Sequence, residues 1–291
     1  LSVSEPVDIA ALRRAIGDLT SSFGQRYPCG QEFGARLDEV ERQFKDDGQN
    51  EKFAATLLTL QQETLLANPM LDFNELLLVR RKSSSPSPGL PMNWQCNGSL
   101  PRTGFDDELT DLSDGPLVPM YKQSAGRFIG DVDLHFSGER LLFSSIGTNN
   151  RRQVHELSIA DGDVRQVTPG NEDDIDNYDA CYLPGGDIIF SSTPCFKGLP
   201  CVKGSDHVAN LYVMNNAGEQ VRQLTFDQDH DWCPTVMKNG RALYQRWEYS
   251  DIPHFASRIL CQMNPDGTEQ AEFYGSNSYW PNSMFYARLN T

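Results

Sequence analysis

Two hydrophobic periods divide this chain. Between residues 7 and 67 apolar side chains recur every three to four positions. The sets are Ile9, Leu12, Ile16 and Leu19 behind Pro6, then Phe33, Leu37, Val40 and Phe44, then Phe53, Leu57, Leu60 and Leu65. That spacing puts each set on one helical face and predicts three amphipathic helices of about 15 residues each. Turn formers separate them at Gly24–Gly30, which includes Pro28, and at Asp46–Asn50. Three such helices pack as a small bundle or cap. Leu76-Leu-Leu-Val-Arg80 predicts a strand, and Lys82-Ser-Ser-Ser-Pro-Ser-Pro-Gly-Leu-Pro91 cannot hold regular structure. The expected organisation is a helical domain over 1–81, an irregular linker over 82–115 and a β domain over 116–291.

In the β domain the pattern changes from helical spacing to short β-rich strands separated by Gly turns. Three stretches resemble one another: Asp131-Val-Asp-Leu-His-Phe-Ser-Gly-Glu-Arg-Leu-Leu-Phe-Ser-Ser145, Asn177-Tyr-Asp-Ala-Cys-Tyr-Leu-Pro-Gly-Gly-Asp-Ile-Ile-Phe-Ser-Ser192 and Asp231-Trp-Cys-Pro-Thr-Val-Met-Lys-Asn-Gly-Arg-Ala-Leu-Tyr-Gln-Arg246. Phe143, Phe190 and Tyr244 recur 47 and 54 residues apart. A second similarity follows behind, Val164-Arg-Gln-Val-Thr168 and Val221-Arg-Gln-Leu-Thr225. A period near 50 with about four strands per unit is that of a β-propeller blade. The predicted strands are 131–136, 140–146, 153–159 and 164–168, then 178–183, 187–192, 209–214 and 220–225, then 232–237, 241–247, 258–263 and 269–274. A fourth blade opens at Ser278-Tyr-Trp-Pro-Asn-Ser-Met-Phe-Tyr286, where Tyr-Trp-Pro echoes Trp232-Cys-Pro234. Three blades and one strand do not close a ring, since propellers have at least four. The expectation is a protein partner, or self-association, that covers the open edge.

Composition narrows the function. Forty Asp and Glu against 25 Lys and Arg give a net charge of -15, which disfavours a nucleic-acid partner. No apolar run approaches the roughly 20 residues of a membrane span. The seven cysteines form no Cys-x-x-Cys, so this sequence has neither a zinc ribbon nor a covalent c-type haem site. Cys195 and Cys201 bracket a Gly/Pro loop that can bring the two sulfurs together, and a disulfide there implies an oxidising compartment.

The segment Leu211-Tyr-Val-Met-Asn-Asn-Ala-Gly-Glu-Gln-Val-Arg-Gln-Leu-Thr225 resembles the TolB-like propeller repeat. Gly130-Asp-Val-Asp-Leu-His-Phe136, Asp176-Asn-Tyr-Asp-Ala-Cys-Tyr-Leu-Pro184, Phe226-Asp-Gln-Asp-His-Asp-Trp-Cys-Pro-Thr235 and Tyr274-Gly-Ser-Asn-Ser-Tyr-Trp-Pro-Asn-Ser283 resemble the hydrazine-synthase alpha-subunit-like proteins, as do the helical start and Ser99-Leu-Pro-Arg-Thr-Gly104. That resemblance covers nearly the whole chain and implies a large exported bacterial protein of which this is the N-terminal half. It places the chain in the periplasm or outside the cell, and any c-type haem in a region beyond this sequence.

The first strand of a blade lines the central tunnel. Aligned repeats put Asp133 and Asp179 at one position and His135 and Cys181 two residues later, hence on one face. Together these four offer N, S and O ligands suited to zinc. The alternative is a set of hydrogen-bonded groups joining neighbouring blades. The inter-blade loops Asn171-Glu-Asp-Asp-Ile-Asp176 and Asp227-Gln-Asp-His-Asp231 carry the hard oxygen donors calcium takes, without the Gly and distal Glu of an EF-hand, and a solvated acidic turn is the competing reading. His207 and His230 are loop histidines beside Asp206 and Asp229 that could ligate or titrate, and the favoured expectation is a plain surface histidine. Trp94, Trp232, Trp247 and Trp280 can stack on sugars or fill gaps between blades. No Gly-x-Ser-x-Gly, His-Glu-x-x-His or Gly-rich phosphate loop occurs, so no catalytic residue is assigned. The sequence points to an exported, non-catalytic scaffold that binds a partner. The competing readings are part of a haem- or metal-dependent oxidoreductase completed outside this chain, and a glycan-binding propeller.

Overall fold

The computed structural model describes residues 8–47, 51–71, 75–86, 98–113, 117–123, 126–198, 207–248, 258–276 and 284–288. The chain divides into two compact units, Leu1–Leu76 and Leu77–Thr291.

The first unit contains three helices, Ile9–Phe23, Gly30–Asp47 and Glu51–Leu66. Asp8 caps the first by accepting from Ala10 N and Ala11 N at 2.8 and 3.1 Å. Leu12, Ile16, Leu19, Phe33, Leu37, Val40, Leu57 and Leu60 form its core, as the periodicity predicts. Tyr27, between the first two helices, joins that core and donates its hydroxyl to Thr64 O at 3.0 Å. Leu65 departs from the expectation and is 43% exposed. The side chain of Phe44 lies outside the described residues.

The second unit is built of four sheets in series. Three are four-stranded blades in strand order 1-2-3-4. Blade one comprises Gly130–Leu134, Arg140–Ile146, Arg152–Ser158 and Val164–Gln166. Blade two has Asn177–Tyr182, Ile188–Ser192, Asn210–Met214 and Arg222–Gln223. In blade three the strands are Asp231–Val236, Ala242–Trp247, Arg258–Met263 and Ala271–Tyr274. The predicted strands agree with these to within a few residues. The expected opening of a further blade falls largely on residues 277–283, outside the described residues.

Ahead of blade one stands a three-stranded sheet of Glu75–Arg80, Glu108–Ser113 and Val118–Lys122. The expected linker 82–115 therefore contains a strand, and the β unit begins at Leu77 and not at 116. Arg81 fixes this sheet to the next: its guanidinium donates to both oxygens of buried Asp107 at 2.9 Å and to Ile129 O at 2.7 Å.

Apolar side chains seal each pair of neighbouring sheets. Leu109, Ile129, Leu141 and Phe143 join the leading sheet to blade one. Leu142, Val154, Tyr182 and Phe190 join blades one and two. Cys181, Ile189, Tyr244 and Cys261 join blades two and three. Among the described residues no such cluster joins blade three back to the leading sheet, so the blades make an arc of a ring.

The Arg-Gln-x-Thr repeat explains itself in this arrangement. Thr168 Oγ1 and Thr225 Oγ1 accept from Val154 N and Leu211 N at 3.1 and 3.0 Å. Gln166 and Gln223 donate to the Thr carbonyls two residues on. Arg165 and Arg222 each reach forward to the next blade, donating to Asn216 O at 3.0 Å and Asp266 O at 2.9 Å.

Candidate functional site

In each blade the first strand breaks register with the second, between Gly130 and Asp133, between Tyr178 and Cys181, and between Trp232 and Thr235. The break is a bulge with one residue in the left-handed region: Asp131 (φ 49°), Asp179 (φ 50°) and Cys233 (φ 50°). Short polar side chains tolerate that conformation best, and a bulge re-aims its side chain out of the ladder.

This geometry corrects the sequence alignment by two residues in blade one. Asp131, and not Asp133, is the counterpart of Asp179. Asp133 corresponds to Cys181, since Asp133 pairs with Leu142 where Cys181 pairs with Ile189. His135 corresponds to Leu183 and opens the hairpin turn, where its N–H donates to Arg140 O as Leu183 N–H donates to Asp187 O.

The four expected zinc ligands consequently do not converge. His135 is turned to the hairpin end of the blade, with Nδ1 2.9 Å from Ser137 Oγ, Nε2 3.1 Å from Arg140 Nη2, and its ring edge-on to Tyr182 at 4.7 Å. Asp133 Oδ2 accepts from Tyr182 N at 3.0 Å, and Asp179 Oδ2 accepts from Cys233 N at 2.7 Å. Ser144 Oγ completes the set by accepting from Asp179 N at 2.8 Å. Each bond ties one blade to the backbone of the next. Cys181 lies in the core between blades two and three. Among the described residues no three carboxylate, thiol or imidazole groups are placed to hold a metal ion.

Burial governs the electrostatics here. Desolvation lifts Asp179 to about 7, with the nearby Asp131 charge adding to the rise, while Arg288 and the Cys233 N–H oppose it. Burial also raises Asp133, against the Tyr182 N–H and Arg288. Cys181 is pushed well up by burial and by Asp133 and Asp179, so it stays a neutral thiol, the form that metals bind poorly.

The acidic loops are engaged by arginines. Asp176 accepts from Arg152 N at 2.8 Å and faces Arg102 and Arg151 at 3.4 Å each. Arg102 belongs to the Ser99–Gly104 motif, so that segment is pinned to blade one. Arg246 bridges Asp227 and Asp231 at 3.0 and 2.9 Å. Burial lifts Asp231 to about 6 while Arg246 pulls it back. These carboxylates are counter-ions to guanidinium groups.

His230 was expected on the surface and is fully buried. Its ring stacks on Trp232 at 4.4 Å and on Trp247 at 5.9 Å. Trp232 and Trp247 are 0% and 1% exposed, so neither offers a face to a sugar. Trp94 and Trp280 lie outside the described residues. Cys195 has a free thiol that donates to Val208 O at 3.1 Å, and Cys201, its expected partner, lies outside the described residues.

Sequence reading missed a hub at Glu156. This buried carboxylate accepts from Tyr182 Oη at 2.8 Å and from Arg165 Nε at 2.8 Å, with Arg140 Nε at 3.7 Å. It floors a cleft of about 600 Å³ whose rim carries Glu139, Asp161 and Asp163. Only the register, which sets Glu156 opposite Leu142 on one side and Arg165 on the other, reveals it.

No family model matches the sequence, and no curated protein does. Among solved structures the chain is similar to hydrazine synthase of Kuenenia stuttgartiensis, with 16% identity and a TM-score of 0.54 over 69% of this chain and 32% of that one. It is also similar to a TolB structure from Agrobacterium tumefaciens, with 15% identity and a TM-score of 0.45 over 57% of this chain and 56% of that one. TolB from Acinetobacter baumannii matches at 18% identity and a TM-score of 0.40, over 55% of this chain and 35% of that one. The match thus spans little more than half of one TolB chain and about a third of the hydrazine synthase chain. At such identities the likeness concerns the fold alone, that of a β-propeller with an incomplete ring.

Proposed function

We propose that the chain is the partner-binding part of an exported protein of the hydrazine-synthase alpha type. In this reading the propeller holds another subunit or domain in place and does no chemistry of its own. The observation that carries it is the outer strand of blade three, Ala271–Tyr274, which is exposed along its whole length and presents Phe273 and Tyr274 at 46% and 47% exposure. An outer edge strand offers unpaired N–H and C=O groups beside aromatic surface, the combination that favours strand addition. Val221 and Phe226 of blade two are also exposed. Asp133 and Asp179 of the first strands and Ser144 of a second strand support the same reading, because each is engaged in tying blades together. In this reading the module lies in the periplasm or at the cell surface, which the resemblance of the sequence supports.

Light scattering across a range of concentrations tests the proposal. The wild type self-associates or takes up a partner chain through the blade-three edge, and Phe273→Lys weakens that association at least tenfold with an unchanged melting temperature. A wild type that stays monomeric at every concentration and binds no partner would sink it.

A further inference from the structure

The hairpin between the first two strands of blade three differs chemically from its counterparts in blades one and two. Its tip is Met237-Lys-Asn-Gly-Arg241, and among the described residues Asn239 alone is an asparagine followed by glycine. Gly240 takes φ 80° there, the left-handed conformation such a tip requires. The matching tips carry Ser137-Gly138 and Gly185-Gly186, so an asparagine is not needed to make the turn. Asn239 itself is exposed.

Three features set the Asn239 side chain for attack by the next backbone nitrogen. Its Oδ1 accepts from Arg241 N at 3.1 Å, so an N–H already points at the oxygen that gains charge when the amide carbon becomes tetrahedral. Its amide nitrogen, the group that must leave, is held by no hydrogen bond among the described residues. Gly240 has no side chain to shield its own nitrogen, and a Cβ there would meet nothing within 4 Å. Asn215 makes the same kind of turn, with Oδ1 accepting from Ala217 N and Glu219 N at 3.0 and 2.8 Å, but the side chain of Asn216 follows it. The turns at Gly218 and Gly267 are packed, since a Cβ would come within 2.1 Å of Val167 O and 3.1 Å of Leu224. One contact opposes attack, the bond from Gly240 N to Met237 O at 2.8 Å. A single turn bond at an exposed tip opens within nanoseconds to microseconds, far faster than amide chemistry proceeds.

We infer that Asn239 is a modification site, where the folded protein deamidates spontaneously to aspartate and isoaspartate. Gly240 N gives up its proton and bonds to Asn239 Cγ. The Cγ–Nδ2 bond breaks, and ammonia leaves carrying that proton. Water then opens the cyclic imide at either carbonyl, which gives aspartate or its β-linked isomer without any oxidant or cofactor. Both products add a negative charge close to Arg241, whose guanidinium already bridges Asn264 and Glu269 at 3.0 Å each. The β-linked product also lengthens the main chain inside the hairpin that Met237 N closes on Arg241 O at 2.8 Å. This site is separate from the strand edge of the proposed function and stands or falls without it.

The test incubates the whole folded chain at mildly alkaline pH and follows it by peptide mass analysis and an isoaspartate assay. Cleavage after glutamate places Asn239 between Glu219 and Glu248, in a peptide with no other asparagine. It also separates Asn239 from Asn97-Gly98, the other such pair in the sequence. The Asn239 peptide gains one mass unit and divides into aspartate and isoaspartate forms, while the peptide holding Asn215 keeps its mass. In Asn239→Gln the longer side chain disfavours ring closure, and the change is lost. The inference is overturned if the folded wild type keeps its Asn239 mass while the urea-unfolded chain gains it, because the turn then protects the side chain. It is equally overturned if Asn215 changes before Asn239, or if the mass gain survives in Asn239→Gln. The first two readings use the wild type alone, so poor folding of the variant does not shield the inference.

Discussion

Asp179 and His230 are both fully buried, and burial moves them in opposite directions. The Asp179 carboxyl rises from 3.8 in the unfolded chain to about 7, so the folded state holds its proton more tightly. Its contribution to stability is complete below about pH 4 and is lost as pH rises through 7. His230 falls from 6.5 to about 3 and His155 to about 4, both chiefly through desolvation. Their contribution is complete above about pH 6.5 and is lost as pH falls toward 3. In urea midpoints measured from pH 4 to 9 the two trends therefore oppose one another up to about pH 7. Asp179→Asn keeps an acceptor for Cys233 N–H and removes the titration, so its stability should rise more steeply with pH than that of the wild type between pH 4 and 7, by a few kcal/mol in all, and run parallel to it above pH 7. Equal slopes in wild type and variant between pH 4 and 7 would show that Asp179 is ionised throughout.

The elements are held by small repeated devices, and their failure should be local and large. Gly218 turns the third strand of blade two into its fourth at φ 79°, and a Cβ there would come within 2.1 Å of Val167 O in blade one. Gly218→Ala meets both a left-handed backbone and a main-chain clash, and should cost about 2 kcal/mol or more, read as a lower urea midpoint at an unchanged m-value. Thr225 Oγ1 is the acceptor for the buried Leu211 N–H. Thr225→Val keeps the shape, strands that N–H and should cost about 1–3 kcal/mol, whereas Thr225→Ser should recover most of it. The blades themselves were legible from Gly turns at 138, 186 and 240 and from the apolar second strands. Registration of the first strands was not. Asp131-Val-Asp133 offers two carboxylates two residues apart, so a shift of two fits the pattern equally well. The hairpin of blade one is also one residue longer, running from His135 to Arg140 where blade two runs from Leu183 to Asp187. Hydrogen bonding decides such a shift, and composition does not.

For the whole molecule, the net charge of -15 sets which partners approach. Asp176, Asp227 and Asp231 face guanidinium groups and add little to that charge, whereas Glu172, Asp173 and Asp174 are exposed. The protein should pass through heparin and DNA columns unretained at low salt, and retention there would reveal a basic face that the sequence does not suggest. Among the described residues no helix is long and apolar enough to cross a membrane.

What the sequence determined by itself is whatever depends on neighbours along the chain. Spacing of three to four fixed the helical unit and its core from Leu12 to Leu60, and strand–turn–strand repeats fixed three blades. Tertiary structure decided what depends on pairing at a distance. The leading sheet joins Glu75–Arg80 to Glu108–Ser113 across a long connection, and no local pattern announces that pairing. His230 reads as a solvated loop residue among acids and becomes a buried ring stacked on two tryptophans only when blades two and three close over it. Asp133, Asp179, His135 and Cys181 read as a converging ligand set from their spacing, and the fold disperses them. Backbone N–H groups of adjacent blades took up the two carboxylates, the hairpin turned the imidazole away, and the inter-blade core enclosed the thiol. A buried donor must find an acceptor wherever the fold supplies one, and sequence order does not say where that is.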